Sequence, residues 1–391
     1  MKTLHLDPRD PAFVQDPYAA YARARAEGPV LHWTGYGMAA AFDAATVQAL
    51  LRDRRLGREP ITPRQEPPHL ADWARTEAHS MLDLEPPRHT RLRGLVLRAF
   101  TSRRIGALRP DIEEVAASLI AAFPSGPFDL IPAFCTQLPV RIIARLLGVP
   151  EAIWPDLLAW SNSMVAMYQT GRDRGTEDAA NAAARDFSAF LDDYIDRRRA
   201  EPADDLITQL IAAEEDGARL SRDELIGTCI LLLNAGHEAT VHSLGNGVKT
   251  LLEHQTPAAA LAPDRVAATV EELLRYDPPL HVFTRTAYED IELPTVTLRR
   301  GDEIALVLGA AGRDPAVWDA PDTFDPARAP APHAAFGGGL HFCVGAPLAR
   351  LELQLALPAL FAALPGMKLA DPPRYADSYH FHKLDRLTIT P

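Results

Sequence analysis

Cysteine is scarce: Cys135, Cys229 and Cys343 are the three present in 391 residues. Their number is odd and no two show CxxC spacing, which excludes a disulfide framework and a cysteine-based zinc site and fits a reducing compartment. Long apolar runs are also missing. No run approaches the ~20 residues that cross a bilayer, and Met1 to Asp16 mixes charge and proline without the apolar centre of a signal peptide. The expectation is a cytoplasmic protein with no membrane partner. Positive charge is in deficit, 40 Lys and Arg against 52 Asp and Glu, which argues against a broad phosphate-binding face and therefore against nucleic acid.

Apolar residues, at 47% with 24% charged, are plentiful enough to bury a sizeable core. The 34 prolines exceed the usual share of ~5% and predict many firm turns and helix stops. From Tyr18 to about Arg275 the apolar residues recur at three and four, the helical period. Helices are predicted over Ile112 to Phe123, over Glu177 to Arg199 with three arginines at its C-terminal end, and from Ser221, whose spacing to Glu224 is that of a capping box. Asp264 is placed to cap a helix ending at Tyr276. Short β-favouring runs follow at Val282 to Thr286, Thr295 to Leu298 and Ile304 to Leu308. A Pro- and Asp-rich coil from Pro315 to His333 leads to a last helix from about Ala346 to Leu364. No repeat and no linker divides the chain, so residues 1–391 read as one domain.

Residues 336–345 read Phe-Gly-Gly-Gly-Leu-His-Phe-Cys-Val-Gly. The three glycines would let the backbone lie close to a flat ligand, and Pro347 suits a first helical turn. Cys343 then sits just before a helix N-terminus, which favours the thiolate, the form that attacks carbon or ligates metal. An arbitrary free cysteine is more often a small buried hydrophobe. Here the pattern Phe-x-x-Gly-x-His-x-Cys-x-Gly fixes five positions and resembles the haem-binding loop of the cytochrome P450 family.

The resemblance extends from Pro-Tyr-Ala-Ala-Tyr-Ala-Arg at 17–23 to Leu-Asp-Arg-Leu-Thr-Ile at 384–389. It implies a mainly α fold, a triangular helical prism with a small β-rich region, and haem b (iron protoporphyrin IX) with Cys343 as axial thiolate. Glu272 and Arg275, i and i+3 on one helix face, correspond to the family's Glu-x-x-Arg pair, which buttresses the thiolate loop as structural support. His89 and Arg93, i and i+4 on one face, could grip an anion. The resemblance assigns them, with Arg285 and His341, to the haem propionates. Between Pro86 and Pro110 lie seven arginines and no acid; those not on haem are candidates to receive an acidic electron donor.

The run Leu231 to Thr240 places Leu231, Ala235 and Glu238 on one helical stripe. Ala235 and Gly236 would leave room for a flat cofactor and a small bound molecule. The stretch is similar to the family's oxygen-activating helix, usually Ala/Gly-Gly-x-Asp/Glu-Thr. Glu238 keeps the acid, but Ala239 stands where the threonine is usual and Thr240 follows about 100° further round. Two protons must reach bound dioxygen. The expectation is ordered water plus substrate assistance with Glu238 as proton source, or else Thr240 on a bulged helix. Leu231, Asn234, Ala239, Val282, Phe283 and Phe381 are candidate substrate contacts, and Ile61 to Met81 a variable lid.

The function implied is a soluble bacterial monooxygenase that inserts one atom of O₂ into a small or medium organic molecule, by hydroxylation or O-demethylation. Electrons would come from a separate ferredoxin served by an NAD(P)H-dependent reductase, and the chain would act as a monomer. A peroxide-driven enzyme and a non-catalytic haem-binding partner protein are the alternatives.

Overall fold

The computed structural model describes residues 1–391 apart from Arg64, Thr170, Asp216, Gly217, Tyr379 and His380. Its principal elements are, in chain order, β1 (Thr3–Leu4), α1 (Tyr18–Glu27), β2 (Val30–Trp33), β3 (Met38–Ala41), α2 (Ala44–Arg52) and β4 (Leu56–Gly57), then α3 (Arg88–Ala99), α4 (Arg109–Ala121), α5 (Gln137–Leu147), α6 (Trp154–Val165), α7 (Arg174–Ala200) and α8 (Arg222–Glu253). There follow α9 (Val266–Tyr276), β5 (Val282–Ala287), β6 (Glu303–Val307), α10 (Ala346–Ala363) and β7 (Leu384–Arg386).

Six strands form one sheet in the order β1-β2-β3-β6-β5-β4. β6 runs parallel to β3, with Ile304 opposite Ala39, and antiparallel to β5, with Ile304 opposite Arg285. The sheet thus joins the first sixty residues to the stretch after α9. The predicted strands are present within a residue or two of their expected limits, and the larger core lies among the helices, where Leu92, Ile112, Ile143, Phe187, Leu233 and Leu353 share one cluster.

Local chemistry sets the long helices. Ser221 accepts the Glu224 N–H while the Glu224 carboxylate accepts the Ser221 N–H, so α8 opens on the capping box expected of it. α7 begins a turn earlier than its apolar period indicated, because Asp173 caps the Thr176 N–H at 2.8 Å. Asp264 is no cap. The carbonyl of Ala262 takes the N–H groups of Arg265 and Val266 at 2.9 and 2.8 Å, so the backbone itself satisfies the first donors of α9.

One helix, α10, is long and apolar enough to cross a membrane by length and composition, contrary to the expectation that no run would be. It lies against α4, α8 and α9 and carries Arg350 and the buried Glu352.

At the centre is an ion pair. Arg275, 1% exposed, meets Glu272, 4% exposed, through two hydrogen bonds of 2.7 Å. The rest of the guanidinium donates to the carbonyls of Gly312, Pro321 and Thr323, and Glu272 also accepts the Asp325 N–H and Arg328 Nε. A coil with little regular structure is thereby fixed on α9 just before the glycine loop. A second polar staple closes the other end: Asp277 accepts from Tyr18 Oη, Tyr375 Oη and His382 Nδ1 at 2.6, 2.5 and 2.8 Å, tying α1 and the C-terminal region to the end of α9.

Removing one partner of a desolvated pair leaves an uncompensated charge, at a cost of about 3–5 kcal/mol. Arg275→Ala should lose about that much in urea unfolding. Arg299→Ala, whose pair with Asp290 is largely exposed, should change stability by less than about 1 kcal/mol.

Candidate active site: the Cys343 loop and the central helix

The glycine loop is positioned from both sides. The Cys343 N–H donates to Phe336 O at 3.0 Å and the Gly337 N–H to Ala334 O at 2.8 Å. Gly337 and Gly339 have φ of +70° and +66°, a region that suits residues without Cβ. A Cβ on Gly339 would stand 2.4 Å from Leu51 O, and one on Gly338 3.3 Å from Leu51 Cβ. Gly338 and Gly339 thus admit the end of α2 at Leu51.

Two residues missing from the sequence reading hold the loop to the helices. Glu271 takes a bidentate pair from Arg350 at 2.6 and 2.9 Å and a bond with His333 at 3.2 Å, and Arg350 lies 4.5 Å over the Phe336 ring. Burial by itself would raise the Glu271 carboxyl, but Arg350 and His333 outweigh it and hold the group at about 2.

Cys343 is exposed, whereas Cys135 and Cys229 are buried. Crowding by protein on its closed side raises the thiol pKa, against the N–H groups of Gly345 and Ala346 and the charges of Arg93 and Arg350, which lower it. The helix N-terminus therefore does not prevail unaided, as the sequence suggested it would; a metal cation at the sulfur would supply the missing term.

Around the loop the structure gathers the cations named from sequence. His89 and His341 pack with ring centroids 4.4 Å apart and planes tilted by 39°, His341 Nε2 is 2.9 Å from Glu85 Oε1, and Arg93 donates to Phe342 O. Arg285, 3% exposed, donates only to Thr284 O and has no ion pair among the described residues. Its pKa is pushed down to about 10 by burial and by Arg58. His89 Nδ1 is buried without a partner, and burial, His341 and Arg93 drive the ring down to about 4. Arg58 was not foreseen. It follows β4, which pairs with β5 two hundred residues on, a register no local pattern reveals.

The remaining candidates divide. α8 is uninterrupted over Arg222–Glu253, without the bulge that would bring Thr240 round. Thr240 is buried and its hydroxyl lies 3.5 Å from Gly236 O. Ala235 is exposed amid a largely buried helix and Leu231 and Ala239 are half-buried, whereas Gly236 packs on Ile143 of α5, so Ala235 alone of the pair faces open space. Asn234 turns toward Met164 of α6 with Oδ1 unpartnered. Phe283 stands between Arg58 and Arg285 and against Gly337, on the cation side. Val282 points elsewhere, into the cluster around Tyr21 and Trp33, because alternate residues of β5 face opposite sides. Phe381 is half-buried and packs edge-on to His242.

Glu238 lies between two imidazoles, with Oε1 3.1 Å from His242 Nε2 and Oε2 3.6 Å from His237 Nε2. It opens onto a cleft of about 360 Å³ between α6, α8 and the β7 region. The lid candidate carries a short helix, Ala71–Glu77, pinned to α7 where Asn181 accepts the N–H groups of Asp72 and Trp73. Of the arginines left for a donor, Arg91, Arg104 and Arg109 are already paired with Glu224, Asp204 and Glu113.

A family model described as Cytochrome P450 matches residues 266–364. The vitamin D(3) 25-hydroxylase of Pseudonocardia autotrophica is 39% identical over 97% of this chain and 94% of its own length. The chain belongs to the cytochrome P450 family. Cytochrome P450 monooxygenase PikC of Streptomyces venezuelae is 38% identical over 91% of this chain and 86% of its own. P450BioI, solved with hexadec-9Z-enoic acid ligated acyl carrier protein, superposes with a TM-score of 0.91 at 34% identity, over 97% of this chain and 99% of that one. The fold is therefore the P450 fold, mainly α with a small β region. The chain is a P450 monooxygenase, an oxidoreductase whose cofactor is haem with a cysteine thiolate as axial ligand.

Glu271 gives this P450 a pH signature. A carboxyl depressed in the folded state stabilises above its unfolded value of about 4.3 and loses that contribution as pH falls toward 2. Glu271→Gln should unfold at lower temperature than the natural protein at pH 6, and the gap should close steadily between pH 4.5 and 2.5 in thermal melts.

Proposed function

We propose that this chain uses Cys343 as the thiolate ligand of haem b and inserts one atom of O₂ into a C–H bond of a small or medium organic molecule, the other leaving as water. The observation that carries the reading is the set of unsatisfied basic side chains beside an exposed cysteine. Among the described residues, Arg285 is a buried guanidinium without an acid and His89 has a buried nitrogen without a partner. Two carboxylates of a planar group seated between Ala235 and Cys343 would meet Arg285, Arg93, His89 and His341 with charge-assisted bonds. The donor set thus fits haem and its propionates.

When bound, haem supplies the activation of dioxygen. The protein's own part is to bind, orient and protonate. Ala235 and Ala239 keep the open face of α8 free of bulk, and Leu231 offers an apolar wall. Asn234 Oδ1, buried and unpartnered, supports a substrate with a hydrogen-bond donor near its reacting carbon. The electron donor we assign is a ferredoxin with an NAD(P)H-dependent reductase, at the face where Leu97 and Phe342 are 47% and 41% exposed. Arg93 links the two, lying one turn before Leu97 and bonded to Phe342 O. This contact is more apolar than the arginine count alone implied. Cytoplasmic location fits such a partner.

The first test is spectroscopic. The reduced carbonmonoxy protein should show the red-shifted Soret band of a thiolate-ligated haem, and Cys343→Ser should abolish it together with oxygenation. Arg285→Leu should keep the band but release haem to apomyoglobin about tenfold faster, the loss of one charge-assisted bond. A colourless protein from cells supplied with porphyrin, or a histidine ligand in place of sulfur, would refute the assignment. Titration of a compound library against the Soret shift from low to high spin then finds the substrate.

A further inference from the structure

The lid segment carries a carboxylate that takes no part in the cofactor site. Glu77 closes the short helix Ala71–Glu77, and its Oε2 accepts the Tyr168 hydroxyl at 2.9 Å. Tyr168 ends the turn Ala166–Tyr168 that follows α6. Among the described residues no hydrogen bond reaches Glu77 Oε1, and no cation offsets the carboxylate. The arginines of this region are engaged elsewhere: Arg58 bonds Asp83 at 3.0 Å, Arg75 pairs with Asp72 at 3.3 Å and Arg88 donates to Ala78 O at 2.8 Å. Burial raises the Glu77 carboxyl to about 7, with Tyr168 opposing the rise and Asp83 adding to it. The residue is nonetheless only half-buried, so it borders open space.

α8 shows which space this is. A Cβ on Gly227 would stand 3.1 Å from His79 Cβ and 3.3 Å from Thr76 O, so the end of the lid helix lies directly on α8. Gly227, Leu231 and Ala235 are four apart and form one stripe. At a rise of about 1.5 Å per residue, Gly227 stands about 12 Å along that stripe from the exposed Ala235. Tyr168 is tied to the opposite wall. Its pKa is raised well above the usual value by burial, Glu77 and Asp83 and lowered by Arg58, the guanidinium that flanks Phe283 with Arg285. The hydroxyl therefore stays protonated and is the donor of the pair. Glu77 and Tyr168 roof the hollow between the α8 stripe and the cations. Two contacts with α7 hold the segment there: Asn181 caps Asp72 and Trp73, and His69 Nε2 lies 2.8 Å from Glu177 Oε2.

A carboxylate drawn from water and given one neutral donor is poorly compensated, and a cation beside it restores what desolvation costs. We propose that Glu77 is a substrate-recognition residue that takes a cationic nitrogen, an alkylammonium group, at the end of the substrate remote from the carbon to be oxidised. The inference rests on the monooxygenase reading above and narrows its substrate class to amines whose apolar part runs along Leu231 toward Ala235. Tyr168 is the positioning residue that holds the carboxylate. Glu238 does not compete for the amine: it is flanked by His237 and His242 and opens onto a cleft whose lining includes no lid residue.

Decyltrimethylammonium is the probe, because its charge is fixed and its nitrogen cannot ligate iron. Decanol and decanoate carry the same tail behind a neutral and an anionic head. With the holoenzyme and each probe below its micellar concentration, calorimetry and the Soret shift should both give the cation at least about tenfold tighter binding than the alcohol, the worth of one charge-assisted contact. Decanoate should bind weakest. Glu77→Gln, which can still accept from Tyr168, should reduce the cation to the affinity of decanol while decanol binding, the melting temperature and the thiolate band stay unchanged; Glu77→Ser serves if that variant does not fold. Equal binding of cation and alcohol by the natural protein, tighter binding of decanoate, or a cation preference that survives loss of Glu77 overturns the proposal. Equal weakening of both probes in Glu77→Gln would make the residue a lid fastener alone and overturns it too. Absence of the thiolate band in the natural protein would instead overturn the function, while a Glu77-dependent cation preference in calorimetry would leave the subsite standing.

Discussion

The architecture turns on a buried ion pair with no spare hydrogen-bonding capacity. Taking Glu272 and Arg275 out of water is expensive, and their mutual attraction offsets that only if the remaining donors and acceptors are also filled. Here they are filled by three carbonyls, one backbone N–H and a second arginine, all drawn from residues 312–328. The pair can be satisfied only when that coil lies in one place on α9. The coil in turn fixes where the glycine loop starts, and Glu271 with Arg350 fixes where it ends against α10. A loop rich in glycine, with much conformational entropy to lose, is so given a single course between two polar clamps, and Cys343 is presented at its end.

The same economy is absent at the cations. Arg285, Arg58 and Arg93 converge with His89 and His341 beside too few acids: Glu85 bonds His341, Asp83 pairs with Arg58, and Arg285 has no acid among the described residues. Folding alone would not favour such crowding, and the lowered pKa values of His89 and Arg285 report the repulsion and burial together. Residues held against electrostatic preference are where a fold is built for something other than its own stability.

Legibility from sequence followed the range of the interactions. The capping box of Ser221 and Glu224, the arginines that end α7 and the spacing of Glu272 to Arg275 are contacts within four residues, and they were readable. The cysteine loop was readable as a pattern, but not that two of its glycines would face Leu51, about two hundred and ninety residues earlier. Arg58 beside Arg285, and Arg350 beside Glu271, depend on strand register and helix packing that no window of sequence contains. Val282 and Phe283 show the limit within a single strand: both were named as lining a pocket, yet the pleat sends one to the Trp33 cluster and the other to the cations. Asp264 had the right chemistry for a cap and was displaced by a carbonyl two residues earlier.

α8 gathers these constraints on one element. Its middle is bare and open at Ala235, and tight enough to pack on α5 at Gly236, against Ile143. A regular helix cannot also rotate Thr240 by 100° without breaking hydrogen bonds that lie in a buried core. The loss of a hydroxyl at Ala239 is therefore not repaired by its neighbour in sequence. The Glu238 carboxylate is instead held one turn on, where His242 Nε2 lies 3.1 Å from its Oε1 and the imidazole packs edge-on to Phe381.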